Sequence, residues 1–244
     1  MSTVTSQRPI IKGVLRTINV GIQRYFLGYT RDEDRKKILR SFLKRKLYTC
    51  IRTSQYINSG GPIDIQDYCD RYNECKMVGV YETVKRWIND LLQGLRRPGW
   101  SPGHYPPTAP APPIEAIGAL GEGVAGYIME NHFNFRLLYR PVRSSPDAIL
   151  LRQDPYEIGL MEVKTTVKFP WNISKIPRLT NNLTKIILDG AMTLIDFWAK
   201  IYHITGNIPY AAYSIGVAIK NIICENINQE VLLVEVGVMR LELQ

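Results

Sequence analysis

"SSPDAILLRQDPYEIGLMEVKTT", Ser144–Thr166, is the stretch on which the reading of this chain turns. Two apolar runs flank Asp154-Pro155, a pair that favours a turn, so the segment predicts a β-hairpin. With the turn centred on that pair, facing residues have numbers that sum to 309, and Asp147 lies opposite Glu162. Directly opposed side chains leave one face of a ladder with Cβ atoms about 4.5–5.5 Å apart. Lys164, two residues beyond Glu162, shares that face. Two carboxylates and one ammonium therefore converge at the end of a strand. A slip of one residue would separate them, so the reading depends on a symmetric turn.

Two carboxylates so placed can share a hard divalent cation such as Mg²⁺, or Mn²⁺, which takes oxygen ligands and keeps room for phosphate oxygens. Beside them a lysine can position or deprotonate a water, if its pKa is depressed, or stabilise the negative charge of the transition state. Such a set suits phosphodiester hydrolysis. An acid-x-Lys triplet alone carries nothing, since Asp34-Arg35-Lys36 is another, and a salt bridge on a sheet rim is the plain alternative. What gives this one weight is the Pro146-Asp147 pair, unique in the chain, and the hairpin spacing. An upstream helix, "PPIEAIGALGEGVAGYIMENHF", adds the acids Glu115, Glu122 and Glu130.

Outward from the hairpin the pattern is α/β. The acid-bearing helix and a strand at "RLLYRPV" precede it; a helix from about Leu179 to Ile204 and strands at "AAYSIGVAIKN" and "EVLLVEVGVM" follow it. This order predicts a mixed sheet flanked by helices. Residues 98–113 hold seven prolines and predict a stiff linker, which divides the chain into an N-terminal part, 1–97, and a C-terminal domain, 114–244.

The N-terminal part reads as mostly helical. Ile10, Ile11, Val14, Leu15, Ile18, Ile22 and Phe26 recur at three-to-four spacing, as do Ile38, Leu39, Phe42, Leu43 and Leu47. A short helix from Asp64 and a longer one carrying Val80, Val84, Trp87, Ile88 and Leu91 resemble the pair of a winged helix-turn-helix domain. Tyr81, Glu82, Lys85 and Arg86 would then face a major groove. The net charge of +9 is concentrated here. Residues 1–100 hold 19 Lys and Arg against 9 Asp and Glu, the remainder 12 against 13. A basic region of this size points to nucleic acid, with Lys36, Lys37, Arg40, Lys44, Lys85 and Arg86 as the candidate DNA contacts.

Other classes are disfavoured. Cys50, Cys69, Cys75 and Cys224 lack a paired C-x-x-C spacing and read as reduced thiols, with a Cys69–Cys75 disulfide or a metal role as the alternatives. His104, His132 and His203 are scattered. No apolar run is long enough for a membrane span, and the N-terminus lacks a cleavable apolar core, so a cytoplasmic protein is expected.

"GEGVAGYIMENHFNFRLLYRPVRSSPDAILLRQDPYEIGLMEVKTT" resembles the core of the PD-(D/E)XK nuclease superfamily, which includes restriction endonucleases and Holliday junction resolvases. The Ile- and Tyr-rich usage also resembles nucleases of archaeal spindle-shaped viruses, for which the location would be the host cytoplasm. The resemblance covers about residues 115–221. It implies a restriction endonuclease-like αβββαβ core, with Asp147 and Glu162 as metal ligands, Lys164 as the catalytic lysine and Glu122, in its Gly-Glu pair, as the helix acid. Among its members it points to a structure-selective, resolvase-like endonuclease of recombination or repair. A restriction enzyme, or a DNA-binding regulator that keeps the fold without activity, is the alternative. A duplex cutter needs two sites, so a homodimer is expected.

Overall fold

The structure, a computed structural model, describes residues 8–29, 33–50, 53–73, 77–95, 110–142, 145–168, 181–206, 208, 210–226 and 229–244. It is an α/β protein with one mixed sheet of seven strands and five α-helices. In chain order these are β1 (Ile10–Ile22), α1 (Glu33–Cys50), β2 (Thr53–Asn58), α2 (Ile65–Tyr72), α3 (Val80–Leu95) and α4 (Ile114–His132). There follow β3 (Arg136–Tyr139), β4 (Ala148–Gln153), β5 (Tyr156–Val167), α5 (Asn181–Thr205), β6 (Ala211–Asn226) and β7 (Gln229–Leu243). A short 3₁₀ helix, Arg24–Tyr29, follows β1.

Strand order across the sheet is β2-β1-β7-β6-β5-β4-β3. The β5/β6 and β1/β7 pairs are parallel and the others antiparallel. Parallel pairing of β5 with β6 requires a crossover, and α5 supplies it. Each face has its own apolar core. On one, Met161, Val163, Ile215 and Val236 pack with Leu120, Val124 and Ile128 of α4 and with α2 and α3; on the other, Leu160, Ala218 and Met239 pack under Ile187, Leu194 and Trp198 of α5 and Leu39 and Leu43 of α1. Truncating one such fully buried leucine to alanine typically costs about 2–5 kcal/mol.

The segment 10–22 is a strand, which corrects the helical reading of its apolar spacing. β1 runs between β7 and β2, and each of its faces is covered as well: Ile11 and Leu15 enter the α4 core, and Ile18, Val20 and Ile22 the α5 core. A strand buried on both faces has no strict apolar-polar alternation, and its residual pattern imitates a helix. Its β-branched residues, Ile10, Ile11, Val14, Thr17, Ile18, Val20 and Ile22, were the better signal. With β1 and β2 in place, segments from before and after the proline-rich stretch share one sheet. Of that stretch, residues 98–109 lie outside the described residues.

The helix pair expected at 64–95 is present as α2 and α3, with Asp64 capping α2 through the Asp67 amide at 3.1 Å. Its expected outward face is not outward. Tyr81 is buried, and Lys85 is bound by Glu230 of β7. The buried stripe of α3 is wide, comprising Val80, Tyr81, Val84, Trp87, Ile88 and Leu91, and packs this helix against α4 and the sheet. Arg86 stays exposed. Among the described residues no helix is long and apolar enough to cross a membrane.

Candidate active site

The register of the β4–β5 hairpin is the expected one: Ala148 faces Met161 and Gln153 faces Tyr156. The ladder ends at Ala148, and Asp147 takes over from it. Its Oδ2 accepts the Val163 amide at 2.7 Å, so a side chain satisfies a backbone donor of β5 where β4 stops. On the strand face that Leu160 turns towards α5, Glu162 is 3% exposed. Ser145 donates its hydroxyl to Glu162 Oε2 at 2.8 Å, and Lys164 Nζ reaches Oε1 at 2.7 Å.

Glu122 arrives from α4, and a glycine sets how near the helix comes. A Cβ on Gly121 would lie 1.7 Å from Thr165 Oγ1, so only glycine lets α4 rest directly on the end of β5. Gly118, one turn earlier, has open space beside it. Asn73 at the C-terminus of α2 donates to Glu122 Oε2 at 2.9 Å. Of the rival acids, Glu115 is exposed, and Glu130 is held by Arg71 and by the Tyr72 hydroxyl at 2.8 Å. Glu122 is the one coupled by charge to Asp147 and Lys164.

Burial, and then the Asp147 charge, push the Glu122 carboxyl up to about 7. Burial and then the Glu162 charge push Asp147 up to about 6. Both acids are disfavoured as anions in the absence of a further cation. For Lys164 burial works against the ammonium but is outweighed by Glu162, Asp147 and Glu122, so its pKa is raised. Without a bound cation Lys164 is therefore held as the ammonium, the form suited to positioning water and stabilising charge.

Beside Glu122 and Lys164 opens a cleft of about 640 Å³, walled by Trp87, Ile114, Ile117 and Pro110–Pro112. Trp87 Nε1 donates to the Pro110 carbonyl at 3.1 Å and fixes that wall. Asp147 and Glu162 do not line the cleft; they lie beyond its charged end.

The basic candidates do not form one surface. Lys36, Lys37, Arg40 and Lys44 lie on α1, on the α5 side of the sheet, and Lys85 and Arg86 on α3, on the other. Lys36 and Lys37 pair with Glu33 and Asp34 on their own helix, and Arg40 with Asp189 of α5; Lys44 is exposed. Cys69 is a buried free thiol, pushed up to about 12 chiefly by burial, and Cys75 lies outside the described residues.

Ser145 and Asn73 were not anticipated. Ser145, adjoining Pro146-Asp147, was legible as part of the motif, whereas nothing in the sequence near Asn73 links it to Glu122. Among the described residues no set of three or more His, Cys, Asp or Glu is arranged to hold a metal by itself. Mg²⁺ does not require such a cage, since one or two carboxylates with waters and substrate phosphates suffice. The oxygen donors of Asp147 and Glu162, and the raised pKa of Asp147 and Glu122, fit a hard cation. Comparison with protein-family models, curated proteins and solved structures returns no match for this chain.

Proposed function

We propose that this chain is a metal-dependent DNA endonuclease of the PD-(D/E)XK type, resolvase-like in its choice of branched or otherwise structured DNA. The observation that carries the reading is the meeting of Asp147, Glu162 and Lys164 at the end of one hairpin, with Glu122 electrostatically coupled to them. The element order α4-β3-β4-β5-α5-β6 is the αβββαβ order that the sequence resemblance implies.

In this reading Asp147 and Glu162 hold Mg²⁺ or Mn²⁺, and Glu122 completes the negative field. The chemistry that a bound cation would supply is polarisation of the phosphoryl oxygens and acidification of water. Lys164, hydrogen-bonded to Glu162, would stabilise the negative charge that grows on the phosphoryl oxygens and orient the attacking water. Ser145 and the Val163 amide hold Glu162 and Asp147 in place. Gly121 sets the distance of Glu122 from the sheet. Two such sites in a homodimer would cut both strands; a strict monomer by light scattering with DNA bound would count against that part.

A second reading, a DNA-binding regulator without cleavage, draws on the engagement of both Glu162 oxygens by Ser145 and Lys164. One assay separates the two. Purified full-length protein is incubated with Mg²⁺ or Mn²⁺ and a panel of duplex, single-stranded, flap and four-way-junction DNA. Cleavage of at least one substrate, lost in Glu162→Gln, supports the enzyme; binding without cleavage of any supports the regulator.

A further inference from the structure

On the face of the sheet that carries Lys164, four strands bring together a second group of charges. Lys168 directly follows β5, and its amide bonds the Ile219 carbonyl of β6 at 2.8 Å. Lys220 is on β6, Glu235 on β7 and Arg16 on β1. The register explains their meeting: Thr166 faces Ala218, Ala218 faces Glu235, and Glu235 faces Val14. Lys220 Nζ lies 2.9 Å from Glu235 Oε2, and Arg16 Nε stands 3.6 Å from Oε1, beyond hydrogen-bonding range. Three cations thus surround one carboxylate.

The group is not a matched structural network. Glu235 is 6% exposed, yet its Oε1 and the Nε of Arg16 are buried without a hydrogen-bond partner. Burial, and then the adjoining Lys220 ammonium, lower the Lys168 pKa. Excess positive charge that is partly stripped of water, with the Arg16 Nε donor unused, is a condition an anion relieves. Lys164 and Arg16 also stand in one cross-strand row through Gly216 and Gly237, three strand spacings apart, or about 14 Å. Lys168 lies about 13 Å along β5 from Lys164.

We propose that Lys168, Lys220 and Arg16 form a second seat for a backbone phosphate of the same DNA strand whose scissile phosphate meets Lys164. The identity of the anion rests on the nuclease reading. A phosphodiester chain suits the seat better than a free phosphate, because the cations continue outward from Lys164 across several strands. Glu235 holds the cations in position without neutralising them and tempers affinity.

The test reads binding, not cleavage. Anisotropy of labelled duplex DNA is measured against full-length protein in EDTA over a range of salt, with the melting temperature of each variant. The double variant Lys168→Ala/Lys220→Ala is expected to bind several-fold more weakly, with its log-log salt slope shallower by about 0.9 for each duplex phosphate no longer neutralised. Lys220→Arg should bind as the wild type does. Glu235→Gln should bind DNA more tightly, a gain that a purely structural ion pair would not give. If the double variant does not fold, Lys220→Gln and Glu235→Gln decide the matter. An unchanged slope in folded variants, weaker binding by Glu235→Gln, or a wild type that does not bind DNA overturns the seat. A wild type that binds with the expected slopes but cuts nothing keeps the seat and removes the nuclease. Active protein whose variants keep the wild-type slope does the reverse.

Discussion

At the start of β5 the partly buried carboxylate of Glu157 is met by three donors. Tyr213 gives its hydroxyl, Arg240 bonds both oxygens at 3.2 and 3.1 Å, and Arg152 adds its guanidinium, which lies 4.9 Å over the Phe135 ring. The result is a Glu157 pKa held below the usual range: burial alone would raise it, but Tyr213 and then the arginines prevail. At the far end of β5 Glu162, on the opposite face, holds the ammonium of Lys164; Asp147 and, from α4, Glu122 adjoin it, and both are pushed upward. Each end of β5 carries an acid set among charges. Glu157 is matched by two arginines, whereas around Glu162 the acids Asp147 and Glu122 are left short of positive charge. A deficit held in a rigid sheet is what structural packing removes and what a site for a cation keeps.

The sharpest way to break this contrast is to neutralise the deficient end. Glu162→Gln or Asp147→Asn should lower Mg²⁺-dependent DNA cleavage by about 10³-fold or more, about 4 kcal/mol of transition-state stabilisation, while the protein still folds. Initial rates with melting curves check this, and cleavage retained within roughly tenfold would remove the distinction. At the closed end the expectation is reversed. Arg240→Ala leaves Glu157 under-compensated and should cost about 3 kcal/mol in urea unfolding, with the cleavage rate per folded molecule unchanged.

A comparable effect of opposite sign is expected at Glu122. Its folded pKa of about 7 and that of Asp147, about 6, lie above their unfolded values. Protonation therefore stabilises the metal-free fold at low pH, and that stability is lost as pH rises through about 6 to 7. Metal-free melting temperature should fall between roughly pH 5 and 8, and Mg²⁺ at pH 8 should restore it. Glu122→Gln should flatten the profile, stabilising the metal-free protein at pH 8 by on the order of 3 kcal/mol. A flat wild-type profile would refute the deficit. The smallest effect belongs to neither end: Lys37→Ala breaks an exposed pair with Asp34 and should change stability by no more than about 0.5 kcal/mol in the same melts.

The hairpin and everything after it were legible because each signal was local. Asp154-Pro155 fixed the turn, the turn fixed the register, and the register set Asp147 against Val163 and Glu162. The Gly121-Glu122 pair pointed to the helix acid, and Gly121 is where α4 meets Thr165 of β5. What failed was long-range. Residues 10–22 read as a helix because a strand covered on both sides lacks alternation, and only its partners β7 and β2 reveal it. Tyr81 and Lys85 read as a DNA-facing stripe because the breadth of the buried face of α3 depends on α4 and Glu230, distant in sequence. Basic residues are visible in a sequence, but which face of the sheet they occupy is not.

The thirteen-residue parallel pairing of β1 with β7 also bears on how the chain reaches its native state. β1 leaves the ribosome with β2 soon after it, whereas its longer edge has to wait for β7, made after all the other strands of the sheet. Until then a run of isoleucine and valine lies open on one edge, the condition that invites association between chains. Loop closure over most of the sequence is a slow way to assemble a sheet, so folding should be limited by this final docking and should proceed best in dilute solution. Removal of residues 1–97 would not release a self-sufficient remainder; it would leave β7 with a bare edge where β1 belongs.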